Sequence, residues 1–472
     1  MLFNSITFLL FLVIVLTVYN LKLPWKLKKG ILLFASYFFY AAWHPPFIIL
    51  LWISTASDWF IASRLSTADS LRRRKWLLFL SLLVNLGLLI YFKYSVFLLS
   101  NFQSILDLTN FRMELPSNSI VLPLGISFYT FQSMSYTIDI YKGRLKPSKN
   151  LSDFALYVSF FPQLVAGPIV KAREFLPQLI NPKFTKLHNL YWGLLLSTFG
   201  LFQKVIVADT LLAPVADTAF EMPSTLSLVD SWVGVLAFSV QILSDFSGYS
   251  LIAIGIAYCF GFKLPKNFNA PYSAIGFSDF WKRWHISLSS WLKEYLYISI
   301  GGNRKSLNRT YFNLMVTMLL GGMWHGASWS FIMWGALHGF FLVLEHMLKN
   351  RFNPKLLKNY VFRTLAGIFT FLLVNIAWVF FRSPEISSSF LYLEAMLGMN
   401  EFAIETLNLF QINVTVAVVA ATLLAHRFFR YRNLRSEIMR LPSWATSVIW
   451  ALMIVIILGS DNNANEFVYF QF

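Results

Sequence analysis

Charge is what this 472-residue sequence has least of: Asp, Glu, Lys and Arg together make up 13% of it. A soluble globular chain carries about 25% charged residues, so a soluble surface of this size cannot be covered. Cysteine is nearly absent as well. The single thiol, Cys259, excludes a disulfide framework, a thiolate metal cluster and a CxxC redox centre. It lies in an apolar run with no base nearby to lower its pKa, so packing is its expected role. The chain also contains no HExxH, no Cys/His cluster, no P-loop and no GxGxxG. Metal and nucleotide-phosphate sites therefore lack support.

What the sequence does contain is apolar surface. Hydrophobic residues reach 57% and aromatic residues 18%. Disorder and secreted disulfide scaffolds are excluded, and a polytopic membrane protein remains. At about 20 apolar residues per span, the chain has material for roughly ten to twelve crossings. The formal net charge of +17 fits the accumulation of basic residues in cytoplasmic loops better than nucleic-acid binding. Met1 to Val18 is apolar and followed by Lys22, Lys26, Lys28 and Lys29. A secretory signal has the reverse charge order and a small-residue cleavage site, so a retained first span is expected.

The loops sort by sign. Residues 22–29, 64–75, 142–149 and 427–440 are strongly basic, whereas 213–230 and 383–408 contain acids and no base. The first group is expected inside and the second outside. Spans are expected near 1–18, 30–43, 47–63, 76–99, 120–141, 189–212, 231–261, 362–381, 409–426 and 443–460. Residues 151–180, broken by Phe161-Pro162 and Gly167-Pro168, suit a re-entrant hairpin, and 311–348 should cross twice or re-enter. Both termini are then outside. No internal repeat or long linker divides the chain, so residues 1–472 are expected to form a single domain.

Two stretches depart from this pattern. Residues 263–310, expected on the cytoplasmic side, hold the densest mix of charge and aromatics. Trp281, Trp284, Leu288, Trp291 and Tyr295 fall on one face at helical spacing, with Lys282, Arg283 and Lys293 turned toward water or headgroups. An interfacial amphipathic helix explains most of these residues. His285 stands apart, because lysine or arginine would serve better as an anchor. The second stretch places His325 between glycines in an apolar region, about 22 Å along a helix starting near Thr310. An imidazole at that depth points to function. Gly321, Gly322 and Gly326 allow close approach of a ligand or of another helix. On one continuous helix His338 would face about 220° away from His325. His44, His188, His346 and His426 are weaker candidates, at a turn, in a loop or near span ends. Asp58 suits an ion path or a partner for arginine. Asp245 suits a cavity lining or a buried ion pair.

Six runs occur in order: PLGISFYTFQ at 123–132, FPQLVAGPI at 161–169, DFSGYS at 245–250, WHISLS at 284–289, GGNR at 301–304 and GGMWHGA at 321–327. Together they resemble the membrane-bound O-acyltransferases, and most closely the bacterial branch that O-acetylates exported polysaccharide such as alginate or peptidoglycan. Gly301-Gly302-Asn303-Arg304 favours that branch over D-alanyl transfer to teichoic acids. One departure is Leu251, where the pattern suggests an acid after Ser250.

The resemblance implies an all-α bundle with re-entrant segments and a central tunnel, in the bacterial inner membrane. It implies acetyl transfer from cytoplasmic acetyl-CoA to a hydroxyl, without a bound cofactor or metal, and with an extracytoplasmic or membrane-anchored partner that modifies the polymer. His325 matches the family's invariant histidine and His285 its second functional position. A hydroxyl needs a base, and burial keeps imidazole neutral. His325 is therefore expected as general base, and His285 to orient the thioester or polarise its carbonyl. Lys282, Arg283, Arg304, Lys305 and Arg309 lie where coenzyme A phosphates would arrive, with anionic lipid as the competing partner. In the aromatic tail 461–472, expected outside, Tyr469 is either an acyl relay or an interfacial anchor. Two other readings compete: a transporter of an acyl or sugar carrier without bond chemistry, and an acyltransferase acting directly on a lipid-linked hydroxyl.

Overall fold

The computed structural model describes residues 1, 3–109, 120–165, 167–349, 359–400 and 403–460. Among these residues the secondary structure is helical, with no β-strand. Among the described residues seven helices are long and apolar enough to cross a bilayer, and two shorter apolar helices, Ile6–Asn20 and Ser443–Gly459, accompany them. The protein is an all-α polytopic membrane protein. These are fewer spans than the loop charges suggest, because some helices are short and some bury polar side chains inside the protein. Ile126–Tyr141 is an example: its serines, threonines and Gln132 are buried.

The chain forms two compact units, residues 1–194 with 253–265, and residues 195–252 with 266–472. In the first unit, α1 (Ile6–Asn20) begins where Ser5 accepts the amide of Phe8 at 3.1 Å. It is followed by α2 (Trp25–Ala41), α3 (Ile48–Ser66) and α4 (Leu71–Leu108). The α2–α3 connection is a tight turn at Pro45–Phe47, where the His-Pro-Pro sequence predicts one. Then come α5 (Ile126–Tyr141) and the short α6 (Leu151–Ser159). Beyond α6 only fragments of four residues form, such as Phe161–Leu164 and Ala172–Phe175. These are too short to span a bilayer.

Asp58 of α3 is fully buried in this unit. Among the described residues it forms no ion pair with arginine; its partners are hydroxyl and amide groups. Ser81 and Asn85 of α4 donate to its carboxylate, Asn85 at 2.7 Å, and Thr137 of α5 donates at 3.2 Å. The cluster ties three helices together, because each polar group would be costly to bury alone.

Two long helices contribute to both units: α7 (Leu187–Glu221) and α8 (Leu228–Cys259). In the first unit the fully buried Cys259 packs against Gly193, in line with its expected packing role. In the second unit a Cβ on Gly200 would lie 2.5 Å from the Gly248 carbonyl oxygen. Glycine is what lets the backbones approach this closely. Four residues on, Lys204 of α7 meets Asp245 of α8 at 2.7 Å and Asp209 at 2.8 Å. Of the two readings of Asp245, the ion pair is the one observed.

The second unit continues with α9 (Phe277–Trp281), α10 (Ile286–Trp291), α11 (Leu307–His325), α12 (Trp329–Lys349) and α13 (Tyr360–Arg382). It ends with α14 (Ile386–Met396), α15 (Leu409–Phe429) and α16 (Ser443–Gly459). Its core is aromatic, with Trp284, Trp334 and Trp378 fully buried.

Removing one member of a buried ion pair costs about 3–5 kcal/mol, because the remaining charge is left uncompensated. Lys204→Met is therefore expected to lower the unfolding temperature of the purified protein strongly. Asp245→Asn should be milder, since Lys204 keeps Asp209. Equal unfolding temperatures for Lys204→Met and wild type would show that the pair does not hold α7 to α8.

Candidate active site

The stripe from Trp281 to Tyr295 does not form one amphipathic helix. The chain breaks at His285, which adopts a left-handed conformation with φ 41° and ψ 55°. A non-glycine residue there costs on the order of 1–3 kcal/mol and persists only where its surroundings impose it. Trp284, Leu288, Trp291 and Tyr295 all lie in the interior. Trp284 stacks on Phe280 at 5.7 Å between ring centroids and meets Trp378 at 5.0 Å. Packing against other helices, which spacing along one segment cannot show, decided this segment's place.

Hydrogen bonds impose the turn at His285. Asn267, nearly inaccessible, accepts the amide of Ile286 at its backbone oxygen at 2.8 Å. Its side-chain oxygen accepts from the Ser287 amide at 3.3 Å and the Ser287 hydroxyl at 2.9 Å. The same oxygen lies 3.0 Å from His285 Nδ1. Asn267 Nδ2 donates to Ser250 at 3.0 Å, so Ser250 has its polar role without an acid at Leu251. Phe246 packs edge-on against the His285 ring at 4.6 Å. His285 is fully buried, and burial lowers its pKa to about 3. Its Nε2 has no hydrogen-bond partner among the described residues.

His325 comes from a helical hairpin. Helix α11 is capped by Ser306, whose side chain accepts the Arg309 amide, and ends at His325. Gly326 is extended, and α12 starts at Trp329. The glycines here serve packing. A Cβ on Gly322 would lie 2.3 Å from the Phe331 carbonyl oxygen, and one on Gly326 would strike the Phe331 ring. His325 is buried between Trp334 at 5.0 Å and Phe381 at 5.2 Å. Its ring centroid lies 6.4 Å from that of His285. The two sequence-predicted histidines therefore meet in one apolar, aromatic-walled site.

His338 is a residue the sequence reasoning set aside. One continuous helix would turn it away from His325, but the break at Gly326 folds α12 back along α11. His338 is fully buried and packs on the other contact of Trp334, at 4.7 Å, and parallel to Phe280. Neither of its ring nitrogens has a hydrogen-bond partner among the described residues. The signal available in the sequence was the pair of small residues Gly326-Ala327 before Ser328, which favours a helix end over continuation.

The predicted basic residues separate into two groups. Lys282, Arg304, Lys305 and Arg309 are exposed. Arg304 and Lys305 follow the turn at Gly301 and Gly302, which Asn313 of α11 holds by donating to the Gly302 carbonyl at 2.8 Å. Arg283 is buried instead and points at Asp279 at 2.9 Å and at the Asn269 carbonyl at 3.1 Å. Arg430 reaches the same carboxylate at 2.7 Å. Burial pushes the Asp279 pKa up, but the Ile275 amide and the two guanidiniums outweigh it and hold the pKa below the usual carboxylate range. Tyr469 lies outside the described residues. Among the described residues no group of His, Cys, Asp and Glu side chains is placed to hold a metal ion.

His285 and His325 thus share a buried site walled by Trp324, Trp334 and Phe381. The model of the membrane-bound O-acyltransferase family matches residues 144–383, a stretch that contains both histidines. The chain is 41% identical to a protein of Azotobacter vinelandii called a probable alginate O-acetylase, over 90% of this chain and 83% of that one. It is 40% identical to the peptidoglycan O-acetyltransferase of Helicobacter pylori, over 78% of this chain and 73% of the relative. Similarity to the teichoic acid D-alanyltransferase of Bacillus subtilis is lower, 30% over 47% of this chain and 58% of the relative. The chain belongs to the membrane-bound O-acyltransferase family, and it is an O-acyltransferase related to polysaccharide O-acetylases. Family membership sets aside the transporter reading.

The Asp279 cluster predicts a pH effect. A carboxylate whose pKa is depressed by folding contributes stability above its unfolded pKa of about 3.9, and loses it as pH falls through the folded pKa. Asp279→Asn is expected to lower the unfolding temperature at pH 7, and the gap to wild type should narrow below about pH 4. A gap of constant size across that range would mean that Asp279 does not carry this charge.

Proposed function

We propose that the protein transfers acetyl from cytoplasmic acetyl-CoA across the bacterial inner membrane for O-acetylation of an exported cell-envelope polysaccharide. The observation that carries this reading is the meeting of His285 and His325 in a buried aromatic site, 6.4 Å between ring centroids. Similarity to proteins named for alginate and for peptidoglycan O-acetylation supports the acetyl group and the polymer class.

The transfer follows from the side chains. A hydroxyl gives up its proton to the His325 imidazole as its oxygen attacks the acetyl carbonyl carbon. The carbon–sulfur bond then breaks, and the departing thiolate takes the proton from the imidazolium. The ester is formed and His325 is neutral again. The walls around this imidazole are aromatic, with Trp334 at 5.0 Å and Phe381 at 5.2 Å. The exposed Lys282, Arg304, Lys305 and Arg309 receive the phosphates of the donor. Arg283 acts indirectly in this scheme, by holding Asp279 and the segment that carries His285.

Tyr469 is the proposed first acceptor. Its phenolic oxygen takes the acetyl group and presents the ester to an extracytoplasmic or membrane-anchored transferase, which moves it to the polymer. The polymer itself is chosen by that partner.

The test is to incubate purified protein in nanodiscs with radiolabelled acetyl-CoA. Label is expected on the wild-type chain, and coenzyme A is expected to be released. His325→Ala should reduce both by at least about 100-fold, the scale on which a general base contributes. Tyr469→Phe keeps the ring and removes the hydroxyl, so label on the chain should vanish. Normal labelling in His325→Ala would refute its role as base. Acetylated lipid in isolated membranes, with no label on the chain, would instead favour direct transfer to a lipid-linked hydroxyl.

A further inference from the structure

Asn267 is absent from the runs that carry the family resemblance, yet it holds three consecutive residues of the His285 segment: His285, Ile286 and Ser287. Its amide orientation is fixed by chemistry. The Ser287 backbone N–H can only donate, so the Asn267 side-chain atom 3.3 Å from it is the oxygen. That oxygen also lies 3.0 Å from His285 Nδ1. An oxygen acceptor requires a proton on the nitrogen facing it, so Nδ1 carries the hydrogen. A neutral imidazole has one N–H, and the lone pair therefore sits on Nε2. That nitrogen is buried and has no hydrogen-bond partner among the described residues. Leaving a buried acceptor unpaired is unfavourable, and a substrate hydrogen would relieve that.

We propose that Asn267 is a positioning residue for the transfer: it locks His285 in the Nδ1–H tautomer, so that Nε2 receives a hydrogen bond from substrate. This deepens the acetyl-transfer reading and rests on it for the identity of the substrate. It also decides between the two roles expected for His285. With its one N–H committed to Asn267, a neutral His285 has no hydrogen to place on the thioester carbonyl. It orients the reactants as an acceptor, and His325 remains the base. The hydrogen it receives belongs to an O–H or N–H group, either the attacking hydroxyl or the amide beside the thioester of the donor. Ser250 completes the arrangement by accepting from Asn267 Nδ2 at 3.0 Å, so that both ends of the amide are hydrogen-bonded while the Ser287 N–H sets its orientation.

The test combines a spectroscopic and a kinetic readout on the full-length protein in nanodiscs. Solid-state NMR of protein carrying 15N-histidine, with His285→Gln subtracted to assign the signal, reports which ring nitrogen is protonated. The Nδ1–H form is expected in wild type, a mixture or the Nε2–H form in Asn267→Ala, and a protonated Nδ1 again in Asn267→Asp, which keeps the oxygen. Transfer from labelled acetyl-CoA should fall about 10–100-fold in Asn267→Ala, the range seen for partners that orient metal-bound histidines, and recover in part in Asn267→Asp. A loss in KM for acetyl-CoA identifies the donor amide as the hydrogen's source, and a loss in kcat alone identifies the hydroxyl. An Nε2–H tautomer in wild type overturns the proposal. So does an Asn267→Ala protein that keeps the wild-type tautomer, or one that keeps full transfer. A wild-type protein with the Nδ1–H tautomer, lost in Asn267→Ala, but with no transfer from acetyl-CoA would uphold the hold on His285 and overturn the acetyl-CoA reading instead.

Discussion

The site depends on the carboxamide of Asn267. One side chain accepts from Ser287 twice, faces His285 Nδ1 and donates to Ser250, while its backbone oxygen accepts from Ile286. These bonds turn the chain through a left-handed residue in the middle of what would otherwise run on as a helix. The strain at His285 is tolerated because its neighbours are hydrogen-bonded in that one geometry. Without the turn, the imidazole would lie along a continuous helical face and would not be held in the aromatic interior beside His325.

The same constraint governs the rest of the protein. A membrane protein has little hydrophobic contrast between its own apolar side chains and lipid, so packing and buried polar contacts carry much of the specificity. Asp58 is held by Ser81, Asn85 and Thr137. Lys204 joins Asp209 and Asp245. Asp279 gathers Arg283 and Arg430. Each cluster ties together segments distant in sequence, and each is confined to one of the two compact units. Glycine plays the complementary part. At Gly200 with Gly248 and at Gly322 with Gly335, helices come so close that a methyl group would meet backbone atoms.

Aromatic rings line the two histidines. Trp334 contacts both His325 and His338. Phe381 and Trp324 close further sides of His325. Such walls keep imidazole neutral and make each hydrogen bond formed there stronger than it would be in water. This suits transfer of an acyl group to a hydroxyl, where the base must be unprotonated and competing hydrolysis must be excluded.

The sequence by itself determined the class of the protein. Low charge, apolar runs and sign-sorted loops require a polytopic helical membrane protein, and the ordered motifs around His285 and His325 mark the family. Those features are local or compositional, so a linear reading captures them. It also placed the turn at Pro45 and the packing role of Cys259. The tertiary structure decided what depends on partners distant along the chain. Trp284 reads as an interfacial anchor but is buried, because Phe280, Phe268 and Trp378 surround it. Arg283 reads as a phosphate ligand but faces Asp279. His338 reads as turned away from His325, but a hairpin brings both against Trp334. Asn267 carries no local signal, since an asparagine after α8 is ordinary until the residues it binds, 17 to 20 positions away, are folded against it. Spacing along one segment fixes which face a residue occupies, and only the fold fixes what that face meets.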